Sequence, residues 1–167
     1  MTPTLGGDVR MPVGSGLTLN ATINPDFGQV EVDPAVVNLS DVETFYPEKR
    51  PFFVEGNSIF NAGQQGSSNY WGFNFPPPTF FYSRRIGRVP QGSLPDDARF
   101  ADVPHGTTIL GAAKLSGKFG SNVNIGTLHA VTAGEDARRV QGDLSRTKHY
   151  EVEPLTYYGV LRGQRES

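Results

Sequence analysis

Residues 17–24 read LTLNATIN, and this alternation decides the fold class. Successive side chains of a strand point to opposite faces, so Leu17, Leu19, Ala21 and Ile23 share one face while Thr18, Asn20, Thr22 and Asn24 share the other. A helix would scatter both sets around its circumference. The following Asn24-Pro25-Asp26-Phe27-Gly28 carries turn chemistry: proline presets φ, asparagine and aspartate bond nearby amides, and glycine accepts positive φ. Gln29–Asp33 then alternates again until Pro34 removes a ladder donor. The expected unit is a hairpin over residues 17–33.

Outward from it, Ser40 predicts the cap of a short helical turn within residues 38–44, limited by Pro47. Gly63–Asn69 (GQQGSSN) has neither period and predicts a loop, and Pro76–Pro78 predicts a stiff extended segment. The second half returns to strand patterns. Over residues 107–118, Ile109, Gly111, Ala113 and Leu115 alternate with Leu110, Ala112, Lys114 and Ser116. Gly120-Ser121-Asn122 predicts a turn into a strand at 123–132. Residues 133–149 are rich in charge without apolar periodicity and predict a long connection. Residues 154–165 give a last strand, with Leu155, Tyr157, Gly159 and Leu161 opposite Thr156, Tyr158, Val160 and Arg162.

The expected class is therefore mainly β: about five antiparallel strands in hairpins, long aromatic, proline- and glycine-rich loops, and one or two short helical turns, forming an open sheet or incomplete barrel. Thirteen prolines and 20 glycines in 167 residues support many turns over long helices. A single β-rich module is expected over 1–167, with an extended N-terminal arm at 1–14, a hairpin and helical turn at 15–60, an aromatic and proline-rich loop region at 61–105, and further strands at 106–167.

Composition excludes several function classes. A formal net charge of -2, with both signs interleaved, supplies no field for nucleic acid. The chain has no cysteine, which removes thiolate catalysis and cysteine-ligated metal sites. No stretch of about 20 apolar residues predicts a membrane-spanning helix. The first residues lack the basic start and apolar core of an export signal.

The polar constellations read as architecture. Glu48, Lys49 and Arg50 lie between Pro47 and Pro51 and beside Phe45, Tyr46, Phe52 and Phe53. With Glu31, Asp33 and Glu55 they form the expected structural ion-pair network. Arg84, Arg85 and Arg88 are expected to pair with those carboxylates, tying the aromatic segment to the first hairpin. Asp26, Glu31 and Asp33 match no calcium loop, and His105, His129 and His149 have no zinc spacing, so no metal and no cofactor is expected. Ser83 lacks a nucleophile elbow and GSGLTL lacks a phosphate-loop lysine; no catalytic residue is assigned. Trp71, Phe73, Phe75, Pro76, Pro77 and Pro78, with Arg84, Arg85 and Arg88 setting register, are the expected partner-binding residues, since aromatics and arginine combine area with directional contacts.

The succession INPDFGQVEVDP (23–34), ETFYPEKRPFFVEG (43–56), FFYSRRIGR (80–88) and TTILGAAKLSGK (107–118) resembles an uncharacterised domain of Gram-negative bacterial proteins. In that family the domain follows a family-nine carbohydrate-binding-like module and continues into an outer-membrane-type β-barrel. The resemblance spans residues 15–165, implies an envelope setting with no established reaction, and matches the opening portion of the domain.

A barrel needs at least about eight strands to close, and an open edge in hydrocarbon costs several kcal/mol per unpaired group. The leading expectation is thus a non-enzymatic docking module: a peripheral, membrane-associated subunit of the cell envelope, completed by a larger membrane protein complex. The alternatives are a piece of an outer-membrane barrel concerned with envelope transport or glycan binding, and a carbohydrate-active enzyme using Glu48 or Glu55.

Overall fold

The computed structural model describes residues 5–25, 45–60, 81–94, 101–140 and 147–166. Its main element is an antiparallel sheet of five strands, β1 (Gly7–Val13), β2 (Leu17–Ile23), β4 (Ile109–Phe119), β5 (Val123–Thr132) and β8 (Thr156–Arg165), in the order β1-β2-β4-β5-β8. A second sheet, β3-β6-β7, joins β3 (Ala101–Asp102), β6 (Glu135–Val140) and β7 (Thr147–Glu153). Among the described residues the sheet is open, with β1 and β8 as its outer strands.

The LTLNATIN alternation forms β2 as expected, but its partners differ. β1 pairs with it from Val13↔Leu17 to Gly7↔Ile23, and β4 covers its other edge from Leu17↔Gly117 to Ile23↔Gly111. Both edges are taken over residues 17–23, so a strand at 29–33 is not the hairpin partner; that second arm lies outside the described residues. The N-terminal arm is instead an edge strand, turned back by Gly14 at φ +64°. The expected helical turn at 38–44, the loop at 63–69 and the triple proline also lie outside the described residues. Short helical turns occur elsewhere: α1 (Pro51–Val54), opened by proline at its first turn, and 3-10 turns at Asn57–Phe60 and Ser83–Arg85.

Two further expectations are corrected. The connection after β5 carries strands of its own: β6 and β7 pair from Glu135↔Glu153 to Val140↔Thr147. Among their described side chains the buried apolar ones are Ala137 and Val152, isolated within charged sequence, so no periodic run marks the ladder. In β4, a register shift between Ile109 and Gly111 turns Ile109 onto the same buried side as Ala112 and Lys114, splitting the face on which strict alternation would place Ile109 with Ala113 and Leu115.

The core lies on one side of the large sheet. Phe53, Phe60 and Ile86 from the segments around α1 and the 3-10 turns bury against Ile109, Ala112, Leu128 and Ala130, with Phe52, Ile59, Phe81, Tyr158 and Val160 packed at the margin. The strands are also joined asymmetrically. The turns at 14–16 and 120–122 lie at one end, next to the pairs Val13↔Leu17, Leu17↔Gly117, Phe119↔Val123 and Val123↔Arg165. The long connections, residues 24–108 and 133–155, leave from the other end.

Candidate functional site

Three features of the inner face define what the molecule can do. The first is the polar knot between 45–50 and 82–88. Arg50 grips Glu48 with two nitrogens, Nε to Oε1 at 2.8 Å and Nη2 to Oε2 at 2.7 Å. Its remaining reach goes to carbonyls, Nη1 to Ile86 at 2.6 Å and Nη2 to Ser83 at 2.9 Å, and its guanidinium lies 4.2 Å from the centre of the Phe53 ring. Glu48 also accepts from Ser83 Oγ at 2.6 Å and from the amides of Lys49 and Arg50. The pair is nearly sealed, with side chains 6% and 12% exposed for Glu48 and Arg50. Burial pushes the Glu48 carboxyl up, but the hydrogen bonds from Arg50 and Ser83 outweigh it and hold the group below its usual range. Proline on both sides explains the local geometry: Pro47 and Pro51 fix the chain extended and then helical, pointing Glu48 and Arg50 inward together.

The knot joins residues 45–50 to 82–88, whereas the expected tie ran from the arginines to the first hairpin. Arg84 donates to the Pro47 carbonyl at 3.0 Å. The Tyr82 hydroxyl accepts from the Tyr46 amide and donates to its carbonyl. Arg88 lies 3.9 Å from Glu153 in β7, and Tyr158 donates to the carbonyl of Arg85. Glu55 is taken by Arg10 of β1. Glu31, Asp33, Trp71, Phe73, Phe75, Pro76, Pro77 and Pro78 lie outside the described residues.

The second feature is the junction between residues 51–60 and the sheet. Lys114, 1% exposed, sends its ammonium to the carbonyls of Phe52 and Glu55 at the end of α1, 5.0 Å from the centre of the Phe52 ring. Burial pushes its pKa down, and Arg10 adds to this, while the Glu55 carboxylate draws it part of the way back. Arg162 of β8 donates to the Ile59 carbonyl at 2.5 Å. Cations from β1, β4 and β8 therefore hold one short segment, and Gly126 of β5 admits it: a Cβ there would stand 2.6 Å from Ile59 Cγ2 and 3.0 Å from Phe60 Cζ. Sequence reading assigned no role to Lys114, Arg10 or Arg162. The available signal was a lysine set among Ala112, Ala113 and Leu115 in mid-strand.

The third feature is the contrast between the two faces. By register, the inner face carries the polar Asp8, Arg10, Thr18, Asn20, Thr22, Lys114, Ser116, Lys118, Asn124, Arg162 and Gln164 around the apolar core patch of Ala112, Leu128, Ala130, Tyr158 and Val160. The outer face carries Val9, Met11 and Val13, then Leu17, Leu19, Ala21 and Ile23, then Ala113, Leu115 and Phe119, then Val123, Ile125 and Val131, then Tyr157 and Leu161. Leu161 and Ile23 are 74% and 70% exposed. The outer polar groups satisfy one another, since Thr127 Oγ1 is 2.8 Å from His129 Nε2 and His129 Nδ1 meets the Tyr157 hydroxyl. Arg165 stands outside only at the very end of β8, beside Val123.

A cavity of about 380 Å³ opens at the turn end of the inner face, lined by Ser58, Ile59, Ser116, Lys118, Asn124, Gln164 and the backbone of Gly56 and Gly117. Among the described residues no cluster of three or more His, Asp or Glu side chains is placed to hold a metal ion, and no helix is long and apolar enough to cross a membrane.

No curated protein and no solved structure matches the chain. A family model does, over residues 1–162: a domain of unknown function, DUF5916. The open sheet with its polar, segment-covered inner face is thus a described example of that domain, and the chain belongs to the DUF5916 family.

Proposed function

We propose that this domain is a non-enzymatic wall segment of a membrane β-barrel, with its outer face toward lipid and residues 51–60 seated on the lumenal face. The observation that carries the reading is the uncovered apolar outer face of the five-stranded sheet, opposite the core. A water-soluble sheet buries its apolar face and solvates the other. Here the uncovered face is apolar as well, although the core lies on the other side, where Arg10, Lys114 and Arg162 also point.

Dimensions support it. β4, β5 and β8 have 11, 10 and 10 residues, matching the roughly 9–11 residues of a tilted membrane-crossing strand. Exposed aromatic rings mark both ends of the outer face, Phe119 near the short turns and Tyr157 near the long connections. Between their neighbours Val123 and Val131, about 3.3 Å per residue at a tilt of about 40° gives a band roughly 20 Å tall. The mutual satisfaction of Thr127, His129 and Tyr157 suits hydrocarbon, where unpaired polar groups are costly. Short turns at one end and long connections at the other repeat the asymmetry of membrane barrels. Five strands do not close, so further strands, from the same protein or another, complete β1 and β8. The enzyme reading gains no support, because the Glu48 carboxylate is already committed to five donors.

The test places an environment-sensitive fluorophore at Leu161→Cys or Lys118→Cys in chain incorporated into vesicles. Brominated lipid should quench the label at 161 and leave 118 to aqueous iodide. A label at 161 quenched only by iodide overturns the reading. A label at 161 shielded from both quenchers means that protein covers this face, which favours the extrinsic docking subunit instead.

A further inference from the structure

We infer that the cavity at the turn end of the inner face is a binding site for a small hydroxylated carboxylate, with Glu166 as its built-in competitor. The rim carries a carboxylate clamp that is already occupied: Lys118 Nζ donates to Glu166 Oε2 at 2.6 Å, and Asn124 Nδ2 donates to Glu166 Oε1 at 2.7 Å. One ammonium and one amide thus take the two oxygens separately, which is the geometry a ligand carboxylate would reproduce. Both donors also line the cavity. Behind them the lining is hydroxyl and amide, Ser58, Ser116 and Gln164, with Ile59 as the one apolar side chain. That inventory donates to and accepts from alcohol groups, and about 380 Å³ lies within the range of small-molecule sites.

The competitor is held lightly. Lys118 and Glu166 are about half exposed, and such pairs contribute little on their own. Glu166 is tethered by its amide to the Asn122 carbonyl at 2.8 Å, so its carboxylate can leave the clamp without unfolding β8. A ligand that adds hydroxyl contacts in the cavity gains what Glu166 lacks. This inference does not rest on the barrel reading, because the clamp and cavity belong to one sheet and its covering segment.

The experiment titrates the detergent-purified chain with gluconate, a polyhydroxylated carboxylate, followed by calorimetry and by amide chemical shifts of residues 116–126. Wild-type chain should bind weakly. Glu166→Gln should bind roughly tenfold more tightly, because a tethered competitor acts at an effective millimolar concentration. Lys118→Met should weaken binding at least about tenfold, as expected for losing a charged hydrogen bond. Sorbitol, the uncharged analogue, should bind more weakly than gluconate. Equal binding of sorbitol, no gain in Glu166→Gln, unchanged binding in Lys118→Met, or no gluconate binding to any variant would each overturn the assignment.

Discussion

The Lys114 ammonium donates to the Phe52 carbonyl at 2.5 Å from the centre of the sheet's inner face. A lysine buried under an aromatic segment is costly unless its donors are used. Here they are used by the carbonyls of Phe52 and Glu55, which α1 leaves without partners at its end. The charge that β4 buries is therefore also the cap that fastens residues 51–60 to the wall.

Lys114→Met keeps the apolar stem and removes the donors. It is expected to destabilise the chain by about 2 kcal/mol at neutral pH, because two buried carbonyls lose their partner. The pH dependence provides the sharper check. The folded-state pKa of Lys114 lies below the ordinary value, so above neutral pH the unfolded chain holds the proton longer than the folded one. Wild-type stability should then rise with pH through that interval, and the variant should lack the rise. Urea unfolding between neutral and alkaline pH would show it; parallel curves for the two proteins would refute the assignment.

Glu48 gives a slope of the same sign, in the acid range. Its folded pKa is depressed, so its contribution is present above the unfolded value and is lost as pH falls through the folded value. Glu48→Gln should cost about 3 kcal/mol at pH 7, the scale of breaking a buried pair. That gap should close in acid, and denaturant midpoints measured from neutral pH downward would reveal whether it does.

Gly126→Val tests the seating of the covering segment. Even a Cβ meets Ile59 Cγ2 at 2.6 Å and Phe60 Cζ at 3.0 Å, so the larger side chain must push residues 59–60 off the sheet. A loss of about 2 kcal/mol is expected from overpacking, seen as a melting point lower by roughly 4–8 °C together with new proteolytic cleavage within 51–60. Unchanged melting and cleavage would mean that the segment is not seated there.

The strands of the large sheet were legible where alternation runs unbroken, as in Leu17–Ile23 and Thr156–Arg165. β1 carries the same alternation, Val9, Met11 and Val13 against Asp8, Arg10 and Pro12, and its proline suits an edge strand, yet these residues were read only as an extended arm. β6 and β7 were hidden because their polar side chains carry no core signal. The bulge after Ile109 was invisible because an inserted residue changes which face is buried without changing composition. Alternation also cannot say which face is wet. Leu17, Leu19 and Ile23 look like a core face in the sequence, and only the position of Phe53 and Phe60 on the opposite side shows that they are not. The Glu48–Arg50 knot was readable as architecture because prolines flank it. Its partners Ser83 and Ile86 come from more than 30 residues away and left no local trace.

Leu161→Arg separates the two possible surroundings of that outer face. Leu161 stands opposite Thr127 in the middle of β5 and β8, on the uncovered side. If water bathes this face, an arginine there is an ordinary surface substitution and stability should move by less than about 0.5 kcal/mol. If lipid bathes it, a cation near mid-band should cost about 2–4 kcal/mol. Gln164→Arg, on the inner face of the same strand, serves as the reference and should be near neutral in either case. Denaturant titration of both variants in lipid vesicles and in lipid-free buffer gives a decisive pattern: a penalty confined to Leu161→Arg and to vesicles supports a lipid-facing wall. Equal behaviour of the two variants in vesicles would leave the uncovered apolar face without a membrane to explain it.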